Sequence, residues 1–201
     1  MKPTIPAPIF ILEDDFQQSQ TLGRVFRDRY KDREIRLLDT ESAFRLKASS
    51  DDEVPGLLIC DVMLPWAFPG DDEPAEIPED VSQADGYTRA GNRCYDYVRA
   101  HASKAWKKVP VLFHTVLTKE EMLFKETVGN DSRVNYVGKD AKLEDLLLEV
   151  DHLLFKLEPE SDEETRFFTN NSIMSRILTE GLLVKSSAEL LGLADVFPTP
   201  T

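Results

Sequence analysis

The feature that most constrains this chain is a regular alternation of two hydrophobic periods, sustained up to about residue 157. Short apolar runs recur at residues 8–12, 34–38, 56–60, 109–113 and 133–137. Three of them are nearly continuous in apolar residues, the pattern of strands buried on both faces of a parallel sheet. The stretches between them have helical spacing. Leu22, Val25, Phe26 and Tyr30 mark one face, and Tyr87, Ala90, Cys94, Tyr97 and Val98 mark a second. Leu143, Leu146, Leu147, Val150, Leu154 and Leu157 mark a third. Thr118 with Glu121 three residues later forms a capping-box pattern just before Met122, Leu123 and Phe124. Five strands alternating with five helices predict an α/β fold, a doubly wound five-stranded parallel sheet flanked by five helices, over residues 1–157.

Two segments depart from that repeat. Residues 66–84 hold six acids, three prolines and no Lys or Arg. Connections in α/β units usually run about 2–6 residues, so this is an insertion, either a functional loop or disordered, whose acids read as a solvated loop or as a partner site. Residues 158–201 open with an acidic linker, 158–164, and continue into a helical candidate at 170–184. They end in Leu190, Leu191, Leu193, Val196 and Phe197, too apolar for a solvated tail and too short to fold alone. This C-terminal extension is expected to dock, either as a homodimerisation or partner-binding element or by completing the monomer core.

The charge balance narrows the partners. With 37 acidic and 24 basic side chains in 201 residues, the net charge is −13, which argues against nucleic acid and against an anionic membrane as direct partners. No apolar run approaches the ~20 residues of a spanning helix, and the N-terminus has no signal core. Cys60 and Cys94 sit inside apolar segments, so reduced thiols and a cytoplasmic location are expected.

In a doubly wound sheet, ligands bind outside the carboxyl ends of the strands. There the first strand ends in Glu13-Asp14-Asp15, the third in Asp61, the fourth in Thr115, and the fifth in Lys139. Acids converging on one sheet edge repel one another unless a cation is present, and an all-oxygen ligand set suits Mg²⁺. A lysine and a hydroxyl on neighbouring strand ends complete a site able to hold a phosphoryl group, with one aspartate left as nucleophile. Asp15 reads as the cap of the first helix. His114, although next to Thr115, points to the opposite face by strand alternation, and Cys60 reads as a small buried hydrophobe.

These residues resemble a known family. Ile9 to Asp14, Asp61-Val62-Met63-Leu64-Pro65, Asp85-Gly86, Thr115 and Tyr136-Val137-Gly138-Lys139 look like the receiver domain of two-component response regulators, over roughly residues 8–157. The resemblance implies phosphotransfer to Asp61 from a histidine kinase or phosphotransfer protein. It implies Mg²⁺ held by Glu13, Asp14, Asp61 and the main-chain carbonyl of Met63, with Thr115 and Lys139 binding the phosphoryl group and Tyr136 as switch residue. The output would pass to a downstream protein target, because no DNA-binding domain is recognisable in the tail. The chain departs from the family at the insertion, at Val116 where a small residue is usual, and at Asp140 where a proline commonly follows the lysine.

Two other readings compete. A phosphohydrolase of the haloacid dehalogenase type needs a second Asp two residues after the nucleophile, and that position is Met63, so no group protonates a leaving oxygen. The chain is therefore expected to be a phospho-acceptor regulator and not an enzyme. A pseudo-receiver, a constitutive interaction scaffold, is favoured by Val116 and the insertion and opposed by Thr115 and Lys139.

Overall fold

A computed structural model describes residues 6–49, 53–68, 77–81, 87–101 and 103–156. The five expected strands form as β1 (Ile9–Leu12), β2 (Ile35–Leu38), β3 (Leu57–Cys60), β4 (Val111–Thr115) and β5 (Val134–Gly138). All pair in parallel, in the order β2-β1-β3-β4-β5. The fourth strand begins and ends two residues later than its apolar run suggests, because Thr115 pairs in register with Gly138. The strand order reverses between β1 and β3, which opens a crevice at their carboxyl ends.

Strand alternation sorts the side chains onto two buried faces. Phe10, Leu12, Leu58, Cys60, Val111 and Phe113 share one apolar layer with Phe44, Cys94, Val98 and Trp106. Ile9, Ile11, Leu57, Ile59 and Leu112 share the other with Leu22, Phe26, Leu146, Val150 and Leu154. Four helices, α1 (Phe16–Arg29), α2 (Glu41–Ala48), α3 (Ala90–Ala100) and α5 (Leu143–Lys156), supply these residues, with Trp106 from a 3-10 turn before β4; the fifth helix, α4 (Phe124–Val128), is short. Each buried Leu, Val or Phe contributes about 1.5–3 kcal/mol, so the period-2 and period-3.6 patterns specify the same packing.

Three local expectations change. Tyr87 precedes α3 and is half-exposed, so it does not belong to that helix's buried face. The Thr118–Glu121 capping box forms, with the Thr118 N–H donating to Glu121 Oε2 at 2.8 Å and the Glu121 N–H to Thr118 Oγ1 at 3.2 Å. It closes only a turn, because Leu123 adopts a left-handed φ of 53° and α4 begins after it.

The third change concerns the insertion, of which residues 66–68 and 77–81 are described. One of its acids, Asp80, is exposed yet ion-paired. The Arg45 guanidinium donates to both Asp80 oxygens, at 3.1 and 2.6 Å, and stacks over the Trp66 ring at 5.3 Å. Arg45 and Arg93 together grip Glu41, which is fully buried. Val81, next to Asp80 in sequence, is buried. The chain divides into two compact units, Met1–Leu157 and Glu158–Thr201. The expected helix at 170–184 and the dimer contact through 158–201 lie outside the described residues. Among the described residues, no helix is long and apolar enough to cross a membrane.

Candidate functional site

Each site residue is delivered by a strand end. The Glu13 N–H continues the β1 ladder by donating to Leu38 O at 2.9 Å, which turns the Glu13 side chain into the crevice, where it is buried. Asp15 then starts α1 as its N-cap, accepting from the Gln18 N–H at 2.8 Å. This is the capping role its position suggests, and it leaves Glu13 and Asp14 for the site. At the end of β3 the Asp61 N–H donates to Leu12 O at 3.0 Å. Asp61 Oδ1 accepts from the N–H groups of Val62 and Met63, at 2.6 and 3.2 Å, so this oxygen is fixed by the loop that follows it. The Lys139 N–H donates to Thr115 O at 2.9 Å, carrying β5 past β4 and directing the lysine back across the sheet edge.

The Lys139 ammonium joins the two acids. Its Nζ donates to Asp61 Oδ2 at 2.5 Å and lies 2.9 and 2.7 Å from the two Glu13 oxygens. Burial works against the Lys139 charge, but the hydrogen bonds to Asp61 and Glu13 outweigh it and hold the ammonium above its ordinary pKa. Burial pushes the Glu13 carboxyl up, against the opposing pull of Lys139. Burial and then the Asp61 charge raise Asp14.

Oxygens of Glu13, Asp14 and Asp61 lie within 4.8 Å of one another. One ammonium among three carboxylates leaves an excess of negative charge in a partly buried crevice. The donors are all oxygen, which is the ligand chemistry of Mg²⁺. The residues present therefore fit that ion. Met63, whose carbonyl the family resemblance adds to the set, stands in the loop that holds Asp61.

The other expected residues stand on β4 and β5, and their side-chain hydrogen bonds run to Leu117 rather than to the acids. Thr115 is fully buried at the end of β4, with Oγ1 accepting from the Leu117 N–H at 3.4 Å. Tyr136 donates its hydroxyl to Leu117 O at 2.9 Å and packs edge-on against Phe124, under the Lys119 ammonium. His114 turns away from Thr115, as strand alternation predicts, and hydrogen-bonds Val137 O through Nδ1 at 3.0 Å. Burial depresses the His114 pKa, so the ring is neutral near pH 7. Cys60 is buried with its thiol on Asp61 O at 3.1 Å, and burial raises its pKa far from the thiolate range. Val116 is 62% exposed.

Two neighbours were not legible as site residues. Gly91, near the start of α3, donates its N–H to Val62 O at 3.1 Å. A Cβ on Gly91 would lie 2.3 Å from Asp61 O, so the helix approaches the end of β3 at a distance only glycine allows. A lone Ala-Gly pair in a helical pattern carries no signal of such a contact. Tyr87 was read as part of a helix face, yet its hydroxyl donates to Asp14 Oδ2 at 3.3 Å.

No family model and no curated protein matches this sequence. Solved structures do. A receiver domain of a signal transduction histidine kinase from Syntrophus aciditrophicus is similar at a TM-score of 0.54 and 17% identity, over 78% of this chain and 96% of that one. The non-phosphorylated HemR receiver domain from Leptospira biflexa is similar at 0.52 and 18%, over 77% and 99%. A response regulator receiver domain protein from Methanospirillum hungatei is similar at 0.51 and 16%, over 78% and 99%. The parallel sheet, its strand order and these likenesses agree: the chain has the fold of the receiver domains of response regulators.

Proposed function

We propose that this chain is a phosphorylation-dependent signalling module of a two-component system, with Asp61 as phospho-acceptor. The observation that carries the reading is the Lys139 ammonium bridging Asp61 and Glu13 at the carboxyl ends of three strands, with Asp14 beside them. The donor is a phosphohistidine of a histidine kinase or phosphotransfer protein. An Asp61 carboxylate oxygen attacks phosphorus, a new P–O bond forms, and the electron pair of the broken P–N bond returns to the imidazole. Mg²⁺ on Glu13, Asp14, Asp61 and the Met63 carbonyl would supply charge neutralisation for the phosphoryl oxygens. Lys139 exchanges its hydrogen bond with Asp61 Oδ2 for one with a phosphoryl oxygen, and Thr115 Oγ1 gives up the Leu117 N–H to donate to another.

Those two exchanges link the acceptor to the β4–α4 segment, because Tyr136 also holds Leu117 O. The output passes through that surface to a protein partner, and the chain's own chemistry is confined to gaining and losing its phosphoryl group. The test is incubation with acetyl phosphate, with and without Mg²⁺. Mg²⁺-dependent, hydroxylamine-labile labelling is expected. No labelling under either condition would overturn the reading in favour of a constitutive scaffold.

A further inference from the structure

The three acids of the cluster are not held alike. Lys139 binds Glu13 and Asp61, whereas among the described residues no ammonium bonds the half-buried Asp14 carboxylate. Among the described residues, the Tyr87 hydroxyl is the one side-chain hydrogen-bond donor that reaches it, at 3.3 Å on Oδ2. Without such a donor, repulsion from the Asp61 charge favours turning Asp14 away from the crevice.

Tyr87 is itself anchored to the acceptor loop. Its carbonyl accepts from the Leu64 N–H at 3.1 Å, three residues beyond Asp61. Four residues further on, Gly91 is bonded to Val62 O. The donor to Asp14 therefore stands on backbone fixed to the same loop that fixes Asp61. A phenol is protonated near pH 7 and donates its hydrogen towards a carboxylate oxygen.

We propose that Tyr87 is a positioning residue for the divalent-ion site, its hydroxyl fixing the Asp14 carboxylate in the orientation that the ion meets. The inference rests on the reading of Glu13, Asp14 and Asp61 as Mg²⁺ ligands. Partners one step removed from a metal hold its ligands in place, and their loss typically weakens metal affinity by about 10–100-fold. Tyr87 also lies near the end of the long segment that joins β3 to α3. Anything that displaces Tyr87 would therefore act on the Asp14 carboxylate.

The experiment is calorimetric titration of the full chain with Mg²⁺ alone, comparing the parent with Tyr87→Phe and Asp14→Asn. Tyr87→Phe should weaken Mg²⁺ binding about tenfold. Its metal-free thermal midpoint should stay unchanged, because the ring is 48% exposed and only one oxygen is removed. In the parent, Mg²⁺ should also change the tyrosine ultraviolet difference spectrum with the same midpoint, and Tyr87→Phe should lose that change. A Tyr87→Phe affinity within twofold of a parent that binds Mg²⁺, or a parent spectrum unmoved by the ion, would overturn the inference and leave the metal site standing. An Asp14→Asn affinity equal to the parent's, or no binding by the parent, would instead overturn the metal-site reading itself.

Discussion

Gly91→Ala is the perturbation whose cost the geometry sets most directly. The added methyl would stand 2.3 Å from Asp61 O, 2.8 Å from Val62 Cα and 3.0 Å from the Asp61 carbonyl carbon. Carbon contacts are ordinary at about 3.5–4.0 Å, so α3 must retreat by about 1 Å, and the opposing atoms are backbone that cannot rotate aside. Alanine's better helix propensity returns roughly 0.5–1 kcal/mol. Overpacking costs typically 1–3 kcal/mol, and losing the Gly91 N–H bond to Val62 O adds about 0.5–1.5 kcal/mol. The net expectation is a loss of about 1–3 kcal/mol. The retreat also pulls Asn92, whose amide donates to Met122 O and Thr127 Oγ1, so the damage reaches α4. Urea denaturation measures the loss as a lower midpoint at unchanged slope. A Gly91→Ala midpoint equal to or above the parent's would refute the close approach of α3 to the acceptor strand.

Three further predictions follow from other parts of the molecule. Glu41→Gln leaves Arg45 and Arg93 around a buried neutral group and should cost roughly 3 kcal/mol by urea denaturation; a loss under about 1 kcal/mol would contradict the picture of a buried charge fork. Asp131, gripped by Arg99 and Arg133, is held at a pKa of about 2, so its stabilisation is complete above its ordinary range and is lost as pH falls through about 2. Asp131→Asn should therefore be less stable than the parent by about 1–2 kcal/mol at pH 7, discounted for solvent screening, with the gap closing in acid; a gap independent of pH would refute it. Asp14→Ala relieves repulsion and should stabilise the metal-free chain by up to ~1 kcal/mol while abolishing the Mg²⁺ dependence of its melting temperature; retained dependence would count against the ligand assignment.

The strands were legible because a parallel strand buried on both faces writes itself as an apolar run, as in residues 9–12 and 57–60. The placement of the candidate residues was legible because Glu13, Asp14, Asp61, Thr115 and Lys139 all fall at the carboxyl ends of strands, where a doubly wound sheet binds its ligands. What stayed hidden depends on distances between elements far apart in sequence. Nothing local marks Gly91 as the glycine that lets α3 touch Asp61, since its need arises from backbone thirty residues away. Tyr87 sits at helical spacing from its apolar neighbours, yet a chain turn and the bond from Leu64 place it before α3 and beside Asp14. Asp80 looked like one acid in a solvated run, and only the placement of Arg45 on α2 gives it a partner. Leu123 breaks the helix that the capping box announces, through a left-handed backbone that no leucine signals in a sequence.

The central claim is that Asp61 alone receives the phosphoryl group, and mapping the modified residue tests it most directly. The chain is phosphorylated with acetyl phosphate and Mg²⁺, digested, and the site located by mass spectrometry after hydroxylamine trapping, in the parent and in Asp61→Asn. The account predicts one modification, on the peptide that carries Asp61, absent from the variant. Undiminished labelling of Asp61→Asn, or a parent modified at another residue, would contradict it.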